Sequence, residues 1–256
     1  MTSPLDTLYA AWVEPDTEAR RRFPVAQLER SADPDGQVWM QLRYLAGVHG
    51  ALERGFQTFP GMEDLTTTYR VRDTFFLVRQ RIMRPSRPDY GDWIASLGWP
   101  DGFDAANDPF RVLVRSGGRN ATDRLEFFAP IPLGEGRWRF EFFVRYVRGN
   151  EALAPLLAAG QRPKEPLRIV MDTANPHDPQ TLAIHDADGE TIGYVPAYYN
   201  RALHAADRLP DTIEILALNP SPESSAHRLL VACEAELPRD WDITRSHPEL
   251  APLPAE

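Results

Sequence analysis

The sequence predicts an α+β fold in two parts. A mixed strand-and-helix domain is expected over residues 1–136, and a small β-barrel domain with one helix over 137–238. Three observations predict this. Short segments with large apolar residues at every second position recur along the chain, the mark of half-buried strands. A few segments carry the 3.6-residue spacing of helices instead. Between them, residues 130–137 read PIPLGEGR, with two prolines and two glycines that interrupt any regular element.

In the first part, residues 8–13 (LYAAWV) read as a strand that residues 23–28 pair with. Residues 38–45 (VWMQLRYL) alternate as a strand. Residues 73–83 (DTFFLVRQRIM) read as a helix capped by Asp73 and ended by Pro85 and Pro88. A short helix follows at 90–97. Residues 110–114 and 125–128 read as strands around the loop RSGGRNATDR.

The second part is richer in strands: 138–147 (WRFEFFVRYV), 167–171, 182–185, 191–195, 212–218 and 228–235, with a short helical or turn segment at 153–159. ADG at 187–189 is hairpin chemistry. Residues 197–206 form a helix opened by Pro196. Several strands and one helix in so short a span predict a small barrel or a strongly bent sheet. Residues 239–256, with three prolines, read as an extended, frayed tail.

Composition narrows the function. With 43% hydrophobic and 25% charged residues the chain is an ordinary globular one. No apolar run approaches the roughly 20 residues that span a bilayer, and no basic stretch followed by an apolar one opens the chain. A cytoplasmic protein without a membrane partner is expected. The net charge of −9 excludes attraction to phosphate over the whole surface, so nucleic acid would have to meet a local patch. Residues 1–136 carry 16 basic and 19 acidic residues and 137–238 carry 10 and 14, so neither part is basic overall. The cations are arginines apart from Lys164, and the planar guanidinium suits phosphate.

Enzyme motifs are not legible. The six histidines form no HExxH pair, and neither a GxSxG elbow nor a phosphate-binding Gly-Lys-Ser/Thr loop is present. No cofactor is implied. Cys233, the single cysteine, falls in an apolar strand and reads as an inert core residue.

The segment 167–196 (LRIVMDTANPHDPQTLAIHDADGETIGYVP) is the most informative stretch. A strand enters a polar turn at Asn175, Pro176, His177 and Asp178. A second strand turns at Gly189 and returns as Gly193–Tyr194–Val195–Pro196 into a helix. This order of turn, strand, hairpin and strand end resembles the HIRAN domain, over about residues 138–237, with VRYVRG at 144–149 similar to that family's first strand. His177 stands where the family often has tyrosine, and Pro179 where a basic residue often follows the aspartate.

The resemblance implies a non-enzymatic protein that binds single-stranded DNA, particularly a 3′ end, as a recruitment factor in repair or defence. It implies that Asp178 accepts a hydrogen bond from the terminal hydroxyl, that His177 and Tyr146 sandwich a base, that Tyr194 lines the groove, and that Asn175 of the same turn belongs to the site. Arg145 and Arg148 would reach phosphates. Asn175 and Asp178 also serve ordinary turn chemistry, because their side chains bond their own backbone.

The first part is similar, more loosely, to the N-terminal subdomain of HipA-type toxin kinases, through VWMQLRYL, FPGM and VLVRSGGRNATDRLEFFAP. This implies architecture and not kinase activity, and leaves the first part as the place for a protein partner. Arg119, in the Gly-rich loop, is a further phosphate candidate. So are the arginine runs at 20–22 and 79–87. Two other readings stay open at this point: a protein-interaction module, and a metal-dependent hydrolase using Asp178, Asp186 and Asp188.

Overall fold

In the computed structural model, the described residues are 6–15, 21–99, 102–105, 107–120, 123–146, 159, 161–175, 178, 180–219 and 227–254. In chain order the elements are β1 (Thr7–Val13), β2 (Arg22–Ala32), β3 (Val38–Tyr44), α1 (Gly47–Leu52), β4 (Tyr69–Arg72), α2 (Phe76–Arg79), α3 (Tyr90–Ser96) and α4 (Pro109–Ser116). Then come β5 (Leu125–Phe128), β6 (Gly136–Phe143), β7 (Arg168–Met171), β8 (Leu182–His185), β9 (Thr191–Tyr194), α5 (Ala197–Ala206), β10 (Thr212–Leu218), β11 (Leu229–Leu237) and α6 (Ile243–Ser246), closed by a 3-10 turn at Pro248–Leu250. Strands and helices are mixed, and every strand pairing is antiparallel. No described helix is long and apolar enough to cross a membrane.

Two compact units divide the chain. The first comprises Met1–Arg84, Asp104–Pro130 and Ile243–Glu256, and the second Pro85–Phe103 and Ile131–Asp242. The units thus interleave along the chain, whereas the breaker at 130–137 suggests a single cut.

The first unit is built on a five-stranded sheet of order β4-β3-β2-β1-β5. Alternation along β3 sends Met40, Leu42 and Tyr44 inward and leaves Trp39, Gln41 and Arg43 on the other face. Leu8, Ala10, Leu28, Phe110, Leu113 and Phe127 complete the core. Within it Tyr44 Oη donates to the Met62 carbonyl at 2.7 Å and accepts the Phe59 amide at 3.0 Å.

Three expectations are corrected here. Residues 110–114 form part of α4 and not a strand. Phe110, Val112 and Val114 fit period two, but the ends decide otherwise. The Asp108 side chain accepts the Arg111 amide at 3.2 Å, Pro109 opens the first turn and Gly117 closes the last at φ 74°. The helix expected over 73–83 shrinks to α2, and Asp73, at φ 64°, is not its cap. The tail is not extended from 239: α6 and the 3-10 turn bury Ile243 and Leu250, and the Leu253 amide donates to the Tyr44 carbonyl at 2.9 Å.

The second unit holds two three-stranded sheets, of order β10-β11-β6 and β7-β8-β9. Along β6, Trp138, Phe140 and Phe142 turn inward and meet Tyr199 of α5, with the Phe140 and Tyr199 rings 4.9 Å apart. Cys233 lies fully buried on the central strand β11. Neither sheet closes on itself among the described residues, so the expected barrel is not seen as a closed one.

Among the described residues one main-chain bridge joins the two sheets. Beyond β6 the Val144 amide still bonds the Leu229 carbonyl, at 2.9 Å. At the next residue the chain changes partner, and Arg145 and Tyr194 exchange N–H···O bonds of 2.9 and 3.0 Å. The strands therefore run in the order β10-β11-β6-β9-β8-β7, with a switch of sheet at 144–145. The short helical segment expected at 153–159 lies largely outside the described residues.

Candidate functional site

The sheet switch is what gathers the predicted residues. Arg145 is fixed by its main chain to the end of β9, and its Nη2 donates to the Tyr198 hydroxyl at 3.3 Å on the first turn of α5. Arg145 is half-buried, with its guanidinium engaged inside the unit. Tyr146 follows at φ 60°, the left-handed region that a bulky side chain rarely adopts. The residue is 69% exposed, and its ring stands edge-on to Tyr194, with centroids 6.0 Å apart and planes at 83°. Tyr146 therefore lies outside the core of the unit.

Tyr194 closes β9. Its backbone partner on the far side is Ala183 of β8, so its position depends on the hairpin between them. That hairpin is set by the Asp186 carboxylate, whose Oδ1 accepts the Asp188 and Glu190 amides, each at 3.0 Å. Gly189 supplies the positive φ of the turn, and Gly193, at φ 153°, takes a conformation open in practice to glycine alone. The Tyr194 hydroxyl donates to Asp172 Oδ2 at 3.5 Å. Burial, with the neighbouring Asp172 carboxylate, holds that phenol above the usual tyrosine range, so it stays a donor at neutral pH.

Asp172 in turn frames the polar turn. Its amide bonds the Thr181 carbonyl at 2.9 Å, and its carbonyl accepts the Asn175 amide at 3.1 Å. Inside the turn Asn175 Oδ1 accepts the Asp178 amide at 3.3 Å, and Asp178 Oδ1 accepts the Gln180 amide at 2.9 Å. Both side chains therefore serve turn chemistry, and Asp178 is exposed while doing so. The Gln180 carbonyl lies 2.5 Å from Nε2 of His204 on α5. A carbonyl only accepts, so this nitrogen carries the proton.

Tyr146, Tyr194, Asn175 and Asp178 are thus linked through Asp172 and the β8–β9 hairpin. Arg148 and His177 lie outside the described residues. Arg119 belongs to the first unit, where its Nη2 pairs with the buried Glu126 at 3.3 Å, beside Arg22 at 2.9 Å from the same carboxylate. Of the acids considered for a metal site, Asp186 holds the hairpin and Asp188 pairs with Lys164. Among the described residues no three His, Cys, Asp or Glu side chains come together to hold a metal ion. Asp172, Tyr198 and His204 were not singled out from sequence. Each acts on a partner at least 22 residues away, a separation that no local pattern signals.

No protein-family model, no curated protein and no solved structure matches the chain. The site brings together one exposed tyrosine, a second tyrosine edge-on to it whose hydroxyl bonds Asp172 of the polar turn, and Arg145 at the junction of the two sheets.

Proposed function

We propose that this protein binds single-stranded DNA and seats a free 3′ end beside the Tyr146–Tyr194 pair, acting by attachment and recruitment without turnover. The observation that carries the reading is Tyr146: an exposed aromatic residue on left-handed backbone, edge-on to Tyr194, whose own hydroxyl bonds Asp172 at the start of the polar turn. A base stacked on such a ring gains about 1–3 kcal/mol whatever its sequence. Asp178 accepts the terminal hydroxyl, and its turn, braced by Asn175 and His204, holds it in place. His177 and Arg148 take the roles that the HIRAN resemblance implies, a second stacking ring and a phosphate contact. We read the six-strand run of the second unit as a HIRAN-like, partly open barrel with its mouth at the sheet switch.

The acidic chain favours few phosphate contacts, so affinity should fall only gently with salt, by about 0.7 in log–log slope per contact. The test is a fluorescence-anisotropy titration of 3′-hydroxyl and 3′-phosphate oligonucleotides at two salt concentrations. Tighter binding of the hydroxyl end, abolished in Asp178→Ala, is expected. Equal affinity for the two ends, or equal losses on both, would overturn end recognition. No binding to either would overturn the nucleic-acid reading altogether.

A further inference from the structure

Period two leaves one face of the β3–β4 pair in the first unit with Trp39, Gln41 and Arg43 on β3 and Arg70 and Arg72 on β4. Trp39 stands opposite Arg72, and Gln41 opposite Arg70. The Trp39 ring is partly exposed, and both arginines are exposed. The guanidinium of Arg70 lies over the indole, 4.1 Å from its centre. The indole Nε1 donates to Asp33 Oδ2 at 3.2 Å, which pins the ring in plane. Arg43 is matched by Glu29 at 3.1 Å. Among the described residues neither Arg70 nor Arg72 forms an ion pair within 4 Å, although the charge of Arg70 helps hold the nearby Asp33 carboxyl below its usual range.

We infer that this face is a second contact surface for single-stranded nucleic acid, with Trp39 as a base platform and Arg70 and Arg72 as phosphate ligands. The inference rests on the reading of the protein as a single-strand binder. Two exposed cations on one side of a half-buried indole complement a ligand that is anionic and flat at once. On a strand these two side chains sit about 6.7 Å apart, so each can take its own phosphate of an extended chain. Arg70 covers the ring when no ligand is present. An exposed guanidinium–indole contact favours that closed arrangement only about two- to five-fold. A stacked base favours the open one about five- to 150-fold, and the freed guanidinium gains a phosphate. The exchange therefore runs toward the ligand.

The test uses the full chain and oligothymidylates of increasing length. With long strands, Arg70→Ala/Arg72→Ala is expected to bind about ten-fold more weakly, with a salt slope shallower by about 0.7 for each phosphate no longer bound. Its preference for 3′-hydroxyl over 3′-phosphate ends should be unchanged. Quenching of tryptophan fluorescence by long strands should diminish in Trp39→Phe. Should the double variant show no thermal unfolding transition, Arg72→Ala alone carries the test. Wild-type affinity and salt slope in the variants would overturn this surface while leaving the end site standing. Absence of strand binding by the wild type would remove both. Equal displacement by polyglutamate and by oligothymidylate would overturn nucleic acid as the occupant.

Discussion

Tyr146 and Tyr194 meet edge to face at 6.0 Å beside the main-chain bridge between Arg145 and Tyr194 that joins the two sheets of the second unit. The bridge partner of Tyr194 is Arg145, so Tyr146 is the first residue beyond the junction. Its positive φ turns the ring back over the end of β9 instead of letting it continue the strand. The contact thus ties an exposed ring to a braced one, at the place where the strand changes sheets.

This geometry separates stability from binding at one position. Tyr146→Gly and Tyr146→Ala both remove the ring, but only glycine adopts the left-handed backbone without strain. The glycine variant should be about 1 kcal/mol more stable than the alanine variant in urea denaturation. Both should bind single strands more weakly to the same extent, by about 1–3 kcal/mol in anisotropy titrations. Alanine matching glycine in stability would mean that the backbone strain is absent.

Asp178 allows a similar separation. Asparagine keeps an oxygen that accepts the Gln180 amide, so Asp178→Asn should leave the thermal midpoint nearly unmoved. Alanine removes that acceptor from an exposed turn and should cost about 1 kcal/mol. Against a 3′-hydroxyl end, both variants lack the charged acceptor, so asparagine should bind more weakly despite its intact turn. A stable asparagine variant with undiminished preference for the hydroxyl end would limit Asp178 to turn chemistry.

Where local signals agreed with burial, the fold was legible in the sequence. Pro196 and the ADG turn at 187–189 placed α5 and β9, the alternation at 38–45 placed β3, and residues 8–13 and 23–28 pair as β1 and β2 as expected. Residues 110–114 misled because five residues cannot separate period two from period 3.6, so the cap at Asp108 and the stop at Gly117 decide. The tail was misread because Ile243 and Leu250 are isolated apolar anchors among prolines, and their partners are distant in the chain. Among the candidate residues, the turn at Asn175 and Asp178 was local and visible. The role of Asp172 was not, since it depends on a hydroxyl brought from β9.

Alkaline pH should weaken the fold through Cys233 first. Burial pushes its thiol from an ordinary 9.0 up to about 12. Between those values the unfolded chain has given up the proton that the folded one keeps. Stability is therefore fully present below pH 9 and falls as pH rises through that window, by up to about 1.4 kcal/mol per pH unit. Tyr44, raised from 10.0 to about 12 mainly by burial, adds to the fall above pH 10. Urea midpoints measured across this range should drop less steeply in Cys233→Ala. At neutral pH the native thiol should react with iodoacetamide only as fast as the protein unfolds.

Glu126 and Arg119 form an ion pair whose two ends should behave differently. The Glu126 side chain is wholly buried and receives both Arg22 Nε and Arg119 Nη2, whereas Arg119 is 49% exposed. Glu126→Gln keeps the size but removes the charge that two guanidinium groups share, and leaves Arg22 facing a neutral group near the core. Breaking a buried pair from its buried side costs about 3–5 kcal/mol. Arg119→Ala leaves the carboxylate its bond to Arg22 and gives up a half-exposed pair, a loss of about 1 kcal/mol or less. Thermal and urea denaturation of the two variants should therefore differ by at least about 2 kcal/mol. An arginine committed to a buried acid is also a poor phosphate ligand, so Arg119→Ala should bind single strands within about two-fold of the wild type. A loss on the scale expected for Tyr146→Ala would instead return Arg119 to the nucleic-acid surface, with Glu126 as the group that positions it.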